Sequence, residues 1–283
     1  MIKVQLFAGL GNQLFMIFAT ISYAIDHGIQ YSILSEMEKT SNGTTTYWDT
    51  ILDAFKTNVI TNYSSGDNVY NEPSFEYNAL PAHLSHNDCV LKGYFQSYKY
   101  FEHNYDKIID IMKLKQKKDV VKTEHHKYFR KKTIALHFRF GDYIFLQNYH
   151  CIKPPSYFID ALVSLSNDLI SMKENIEDYD ILYFCEPGND KYVNEFLKII
   201  RCTVRKPLSF IKVDDDIPDW KQMLIMSCCD HFIITNSTFS WFGAYFSEHQ
   251  RKIVYRPKTW FGPKNNGKDI TDMCPAEWKV INV

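Results

Sequence analysis

Hydrophobic and polar positions along this chain fall into two alternating regimes. Short β-branched or aromatic runs of strand length are followed by longer stretches with apolar residues at helical spacing. Residues 2–7 read as a strand, 12–27 as a helix, 31–34 as a second strand and 89–93 as another. From about residue 131 the alternation resumes. Strands are predicted at 133–138, 181–185, 210–213, 231–235 and 253–255, and helices at 155–171, 191–200, 218–228 and 239–247. Strands alternating with helices predict α/β layers on parallel sheets, the second series having the form of a doubly wound nucleotide-binding domain. The stretch 35–81 is polar, with Asn, Ser, Thr and Gly scattered through it and no clear period. No repeat or low-complexity tract breaks the pattern. The expected division is an amino-terminal α/β domain at 1–130 and a carboxyl-terminal domain at 131–283.

Three strand ends carry groups suited to chemistry. After Ile233 and Ile234, the residues Asn236, Ser237, Thr238 and Ser240 cluster where a strand gives way to an apolar helix. Free amide N–H groups and the positive end of the helix dipole lie at such a junction, and it binds phosphate oxygens readily. The plainer reading is an ordinary helix cap. In the second segment, a strand through Leu136, His137 and Phe138 ends in Arg139-Phe140-Gly141-Asp142-Tyr143. The planar fork of Arg139 can hold two phosphate oxygens, or it can pair on the surface with Asp142. His137 can be a base, a sugar contact or a buried structural histidine. The third segment is Gly9-Leu10-Gly11-Asn12-Gln13. Leu14 stands where a dinucleotide fingerprint needs a third Gly or Ala, and no P-loop lysine follows. The glycines would let Asn12 and Gln13 approach sugar hydroxyls or phosphate. Alternatively, Asn12 caps the helix of a tight turn.

Taken together, the three segments resemble the α-1,2-fucosyltransferases of glycosyltransferase family eleven, whose patterns are GGLGNQLFQ, HxRRGDY and NSSFSWWGAY in that order. Weaker similarity through Tyr47-Trp48-Asp49, the 93–97 segment and the 257–262 segment extends the likeness over nearly the whole chain. The resemblance implies a GT-B-like fold of two Rossmann-type domains with a cleft between them. It also implies an acceptor side in the first domain and nucleotide-sugar binding in the second. The implied activity is inverting transfer of L-fucose from GDP-β-L-fucose to a glycan hydroxyl, O2 of a terminal galactose. Arg139, His137 and Asp142 would be catalytic, with Arg139 neutralising the departing β-phosphate. Gly9, Gly11, Asn12, Gln13, Asn236, Ser237, Thr238 and Ser240 would bind the substrates. The chain departs from the pattern at three places. Phe140 replaces the second motif arginine, Glu186-Pro187 stands where the family tends to read FSDD, and Ala8 replaces the first glycine. Phe140 and Glu186-Pro187 support a first rival, a transferase for another GDP-sugar, and a non-catalytic sugar- or nucleotide-binding descendant would tolerate the same losses. Asp142, Glu186 and His137 are the candidates for a general base.

Composition narrows the classes. The chain has 283 residues, 45% hydrophobic and 23% charged, with net charge −1, which argues against a nucleic-acid protein. Aromatics reach 16%, consistent with sugar-lining faces but more often simple core. A first strand from Ile2 leaves no room for a signal peptide, and no run is long enough to span a bilayer, so a cytoplasmic protein is expected. Seven cysteines without CxxC spacing read as reduced thiols, and the Asn42 and Asn62 glycosylation patterns carry no meaning in that compartment. The basic run at 107–132 reads as a solvated helix and linker, with weak peripheral contact to acidic lipids as the alternative. The acidic clusters Asp214-Asp215-Asp216 and Asp178-Tyr179-Asp180 lie outside the three motifs. No metal or other cofactor is expected beyond the nucleotide-sugar donor and the glycan acceptor.

Overall fold

The computed structural model describes residues 1–62, 64–265 and 267–282. The chain divides into two compact units, residues 1–117 with 268–275, and residues 118–267 with the segment from 276 onward. The division therefore falls at 117/118 rather than 130/131, and a short carboxyl-terminal segment returns to the first unit.

The first unit is built on β1 (Ile2–Gln5), α1 (Leu10–His27), β2 (Tyr31–Leu34), β3 (Val59–Ile60), β4 (Asn68–Asn71), β5 (Cys89–Lys92) and α2 (Tyr105–Met112). All five strands are parallel, in the order β3-β2-β1-β5-β4. β1 lies at the centre, with Ile2 and Val4 fully buried. α1 is apolar around most of its circumference and is buried from Gln13 through Ala24, Leu14 through Ile17 being inaccessible to solvent. Gly28 ends it in the left-handed conformation (φ 61°), its N–H returning to Ala24 and Ile25 carbonyls. Asn42 of the first glycosylation pattern braces the β1–α1 turn by accepting from the Ala8 N–H at 3.0 Å. The second pattern includes Tyr63, which lies outside the described residues.

α3 (Leu114–Glu124) carries the division, and the second unit follows. It comprises β6 (Lys132–His137), α4 (Pro155–Ser171), β7 (Tyr179–Phe184), α5 (Asp190–Val204), β8 (Ser209–Lys212), α6 (Asp219–Ser227), β9 (His231–Ile233), α7 (Thr238–Tyr245), β10 (Val254–Pro257) and β11 (Lys279–Ile281). The strands are again parallel, in the order β11-β10-β9-β6-β7-β8. Successive strands step outward from β6 to β8, then the chain crosses back and steps outward from β9 on the other side. That is the doubly wound arrangement, with a switch point between β6 and β9. Ile134, Leu136 and Phe138 pack beneath Tyr157, Phe158, Leu162 and Leu165 of α4 and Leu197 and Ile200 of α5. Burial of these large apolar side chains supplies the main stabilisation, roughly 1.5–3 kcal/mol for each.

The expected α/β class and paired parallel sheets are present. The strands missing from the sequence reading are β3, β4 and β11, which are short and stand at sheet edges. The basic run is not a uniform cationic face. Lys117 pairs with Asp53, Lys118 with Glu248, Lys127 with Asp214, and Lys132 with Glu174.

Ala8 adopts φ 62°, the left-handed region in which a Cβ is costly and glycine is at ease. The family's glycine therefore has a conformational reason that this alanine does not remove. Ala8→Gly should stabilise the first unit by roughly 0.5–1 kcal/mol, after the greater freedom of glycine in the unfolded chain offsets part of the relief. Differential scanning calorimetry should record a melting temperature about 2 °C higher. A lower one would contradict the strain.

Candidate functional site

Parallel strands end with their carbonyls and following loops on one edge, and at a switch point the two loops diverge to leave a crevice. In the second unit the loops after β6 and β9 meet there, and side chains tie them together. His137 Nδ1 and Thr235 Oγ1 are 3.0 Å apart, and the Tyr143 hydroxyl donates to the Asn236 carbonyl at 3.0 Å. The Arg139 guanidinium lies over the Tyr143 ring at 4.8 Å. Two of the three sequence segments are thus brought into one cluster.

Arg139 is held by two carboxylates. Its Nη1 bonds Glu186, its Nη2 donates to Asp142 at 2.6 Å, and its buried Nε has no partner among the described residues. Glu186 also accepts the Phe140 N–H at 3.2 Å. Burial acts to lower the guanidinium pKa, but Glu186, Tyr143 and Asp142 outweigh it and keep the group charged. Glu186 stands out in sequence as a departure from the family pattern and as one of three base candidates, but its pairing with Arg139 could not be read from residues 47 positions apart. Gly141 has φ 36°, and a Cβ there would sit 3.3 Å from the Glu186 carboxylate, so the turn requires glycine. Phe140 does not face the cluster of charges. It is buried against Tyr192 and Phe196, at 5.7 and 5.1 Å between ring centroids.

His137 is buried, and desolvation, then the Arg139 charge, lowers its pKa to about 3. A neutral imidazole with so low a pKa is a poor base at neutral pH, so the catalytic expectation for His137 gives way to a positioning one. Its ring holds Thr235 and packs against Phe239 at 5.5 Å.

The Asn236–Ser240 group separates into two kinds of residue. Asn236 is buried, and its Nδ2 donates to the Cys151 carbonyl at 3.0 Å and the Trp260 carbonyl at 2.8 Å, so it is a bracket between loops. Ser240 has no exposed surface and gives its hydroxyl to the Ser237 carbonyl at 3.2 Å. Neither side chain is presented to a ligand, which corrects the expectation for both. Ser237 occupies the N-cap position of α7 but makes no side-chain cap hydrogen bond. The capping reading therefore fails at the residue best placed to satisfy it. Ser237, Thr238 and the first-turn amides are the groups of this turn with the donor chemistry that an anion needs.

In the first unit, Gly9 is exposed and is itself the N-cap of α1, so Asn12 is not the cap. Asn12 accepts from Gln96 Nε2 at 2.6 Å, joining the loops after β1 and β5 at that sheet's own reversal. Gln13 is fully buried, donating to the Ala8 and Thr45 carbonyls at 2.9 and 2.8 Å. Gly11 is buried as well. Only Gly9 and Asn12 of the four retain solvent access, a correction for Gly11 and Gln13. Gly9–Gln13 belong to the first unit, and the Arg139 and Ser237 turns to the second.

The acidic triplet 214–216 is engaged elsewhere. Asp214 pairs with Lys127 and Asp215 with Lys212. Among the described residues, no group of three or more His, Cys, Asp and Glu is arranged to hold a metal ion. All seven cysteines are free.

The His137 shift has a sign that can be measured. Its folded pKa lies below the ordinary value, so the unfolded chain takes up a proton first as pH falls below about 6.5. Stability is then lost progressively toward pH 3, and His137 contributes about 2 kcal/mol of loss between pH 7 and pH 5. Urea denaturation of His137→Gln should lose about that much less over the same interval. Parallel pH slopes for the two proteins would contradict a buried neutral imidazole.

No protein-family model matches the chain. It is 24% identical over 198 residues to the O-antigen biosynthesis glycosyltransferase WbnK of Escherichia coli, covering 66% of this chain and 60% of that one. It is 25% identical over 201 residues to an alpha-1,2-colitosyltransferase of Escherichia coli, covering 67% and 61%. The chain thus spans about 60% of the length of these curated relatives. Its fold is similar to that of POFUT1 crystallised with GDP, with TM-score 0.50, 11% identity and coverage of 89% of this chain and 96% of that one. The chain is therefore similar in sequence to an O-antigen biosynthesis glycosyltransferase and to an alpha-1,2-colitosyltransferase, and GT-B-like in fold.

Proposed function

We propose that this chain is an inverting glycosyltransferase that takes a deoxysugar from a GDP donor and transfers it to a glycan hydroxyl. The donor is GDP-β-L-fucose and the acceptor position is O2 of a terminal galactose. The observation that carries this reading is the β6–β9 switch point. It joins one charged arginine to a helix start whose N-cap side chain leaves the amides unclaimed. Cleavage of a sugar–diphosphate bond builds negative charge on the departing β-phosphate. A fixed guanidinium and oriented amides stabilise that charge without rearranging, and one such donor contributes about 3–4 kcal/mol to lowering the barrier.

The two carboxylates set how the diphosphate enters. Glu186 is held from two sides, by Arg139 and the Phe140 N–H, whereas Asp142 is more than half exposed and rests on Arg139 alone among the described residues. The diphosphate displaces Asp142 from the Nη2 edge, and Glu186 keeps the guanidinium aligned. Asp142, released beside the reacting sugar, is then the base candidate in reach of an acceptor hydroxyl, in place of His137. Arg139 and the α7 start provide the positive potential that other transferases obtain from a divalent ion, so the reaction proceeds without metal.

The second reading is a different GDP-sugar. The colitosyl specificity in one relative's name supports it, as does the replacement of a motif arginine by Phe140. Colitose is fucose without its 3-hydroxyl. A site built to bond that hydroxyl rejects the deoxy analogue strongly, and an apolar one does not.

Transfer assays with GDP-fucose, GDP-colitose and GDP-mannose should favour GDP-fucose and persist in EDTA. Arg139→Lys, which keeps the charge and loses the fork, should lower kcat by about 10²–10³-fold. Near-normal turnover by that variant would remove Arg139 from the mechanism. Loss of activity in EDTA with rescue by Mn²⁺ would overturn metal independence, and no turnover of any donor would favour the binding descendant.

A further inference from the structure

Lys153 is a buried lysine, 4% exposed, for which no carboxylate partner is found among the described residues. Its Nζ donates instead to Cys151 Sγ at 2.8 Å and to the Thr259 carbonyl at 2.5 Å. Burial lowers its pKa, opposed in part by Cys151, which eases access to the neutral amine. Cys151 is itself only partly buried, and its Sγ also faces the Phe261 carbonyl at 3.6 Å. A thiol and an amine in hydrogen-bond contact provide two nucleophiles in sequence: the sulfur toward an oxidant, and the amine toward the oxidised sulfur. Cys229 is fully buried with its thiol pKa pushed up, and Cys202 is exposed on α5.

We propose that Cys151 and Lys153 form a peroxide-sensitive modification site, in which oxidation closes a covalent sulfur–nitrogen bond between the two side chains. In the first step the Cys151 thiolate attacks one oxygen of hydrogen peroxide and the O–O bond breaks. The hydroxide that leaves takes a proton from the Lys153 ammonium and departs as water. This yields a sulfenic acid beside a neutral amine. In the second step the amine lone pair attacks the sulfenic sulfur and the S–O bond breaks. The leaving hydroxide takes a proton from nitrogen as a second water. Sulfur is oxidised by two electrons, and one peroxide is reduced to two waters. The chemistry is independent of the proposed sugar transfer. Its position gives it reach, because the Cys151 carbonyl is one of the two that Asn236 brackets, and the bond would stiffen that loop.

The test is peptide mass analysis of the full chain after treatment with hydrogen peroxide. The peptide containing residues 151 and 153 should lose the mass of two hydrogens and regain it on incubation with dithiothreitol. Lys153→Arg, whose guanidinium is a far weaker nucleophile, should show no such loss. Cys202 serves as an internal reference, passing to sulfinic acid without a lysine adduct. Should Lys153→Arg fail to fold, the wild-type peptide decides alone. Cys151 carried to sulfinic acid with Lys153 unmodified would overturn the proposal, as would an unreacted Cys151 at a dose that oxidises Cys202.

Discussion

The structure depends on one constraint: β6 pairs in parallel with β7 on one side and with β9 on the other. Parallel pairing sends every connection back across a face of the sheet, so the loops that follow β6 and β9 leave the same edge in opposite directions. Polar backbone exposed there needs partners. The Tyr143 hydroxyl supplies one, to the Asn236 carbonyl, and with the His137–Thr235 side-chain contact it fixes the two loops against each other. What remains open is the start of α7, where Ser237 stands at the cap without capping. The binding capacity of the edge is thus a by-product of how the sheet is wound, and the side chains decide what it binds.

Arg139 carries the electrostatic side of that decision. A single guanidinium between Glu186 and Asp142 gives the cluster a formal charge of −1, unwelcoming to a diphosphate until one carboxylate yields. The two differ in exposure, 24% for Glu186 and 57% for Asp142, and in the proposed function Asp142 is the one that moves. Phe140 explains why the missing second arginine leaves no gap. Its ring completes an aromatic group with Phe138, Tyr192 and Phe196, so the position has been given to the core.

Much of the fold was legible because long periodic segments dominate it. The predicted helix at 155–171 matches α4 residue for residue, and the other predicted strands and helices of the second unit lie within a few residues of their expected positions. The edge strands were not legible for a physical reason. β4 reads Asn-Val-Tyr-Asn and is largely exposed, β3 has two residues and β11 three, so no apolar pattern is imposed on them. Within the site, the motifs identified the right turns but not the duties of individual side chains. Gln13, Asn236 and Ser240 look like ligands in sequence because they are polar in a glycine- or hydroxyl-rich turn, yet all three satisfy backbone carbonyls inside the protein. Partners distant in sequence were equally out of reach, as with Gln96 and Asn12, 84 positions apart.

The central claim is that the second unit's switch point receives a nucleoside diphosphate. Hydrogen–deuterium exchange with and without saturating GDP tests it directly, because amides at the helix start would become acceptor-bound. Slower exchange is expected, confined chiefly to residues 138–143 and 236–240. Protection elsewhere with these two turns unchanged, or no protection under conditions where calorimetry detects GDP binding, would contradict it.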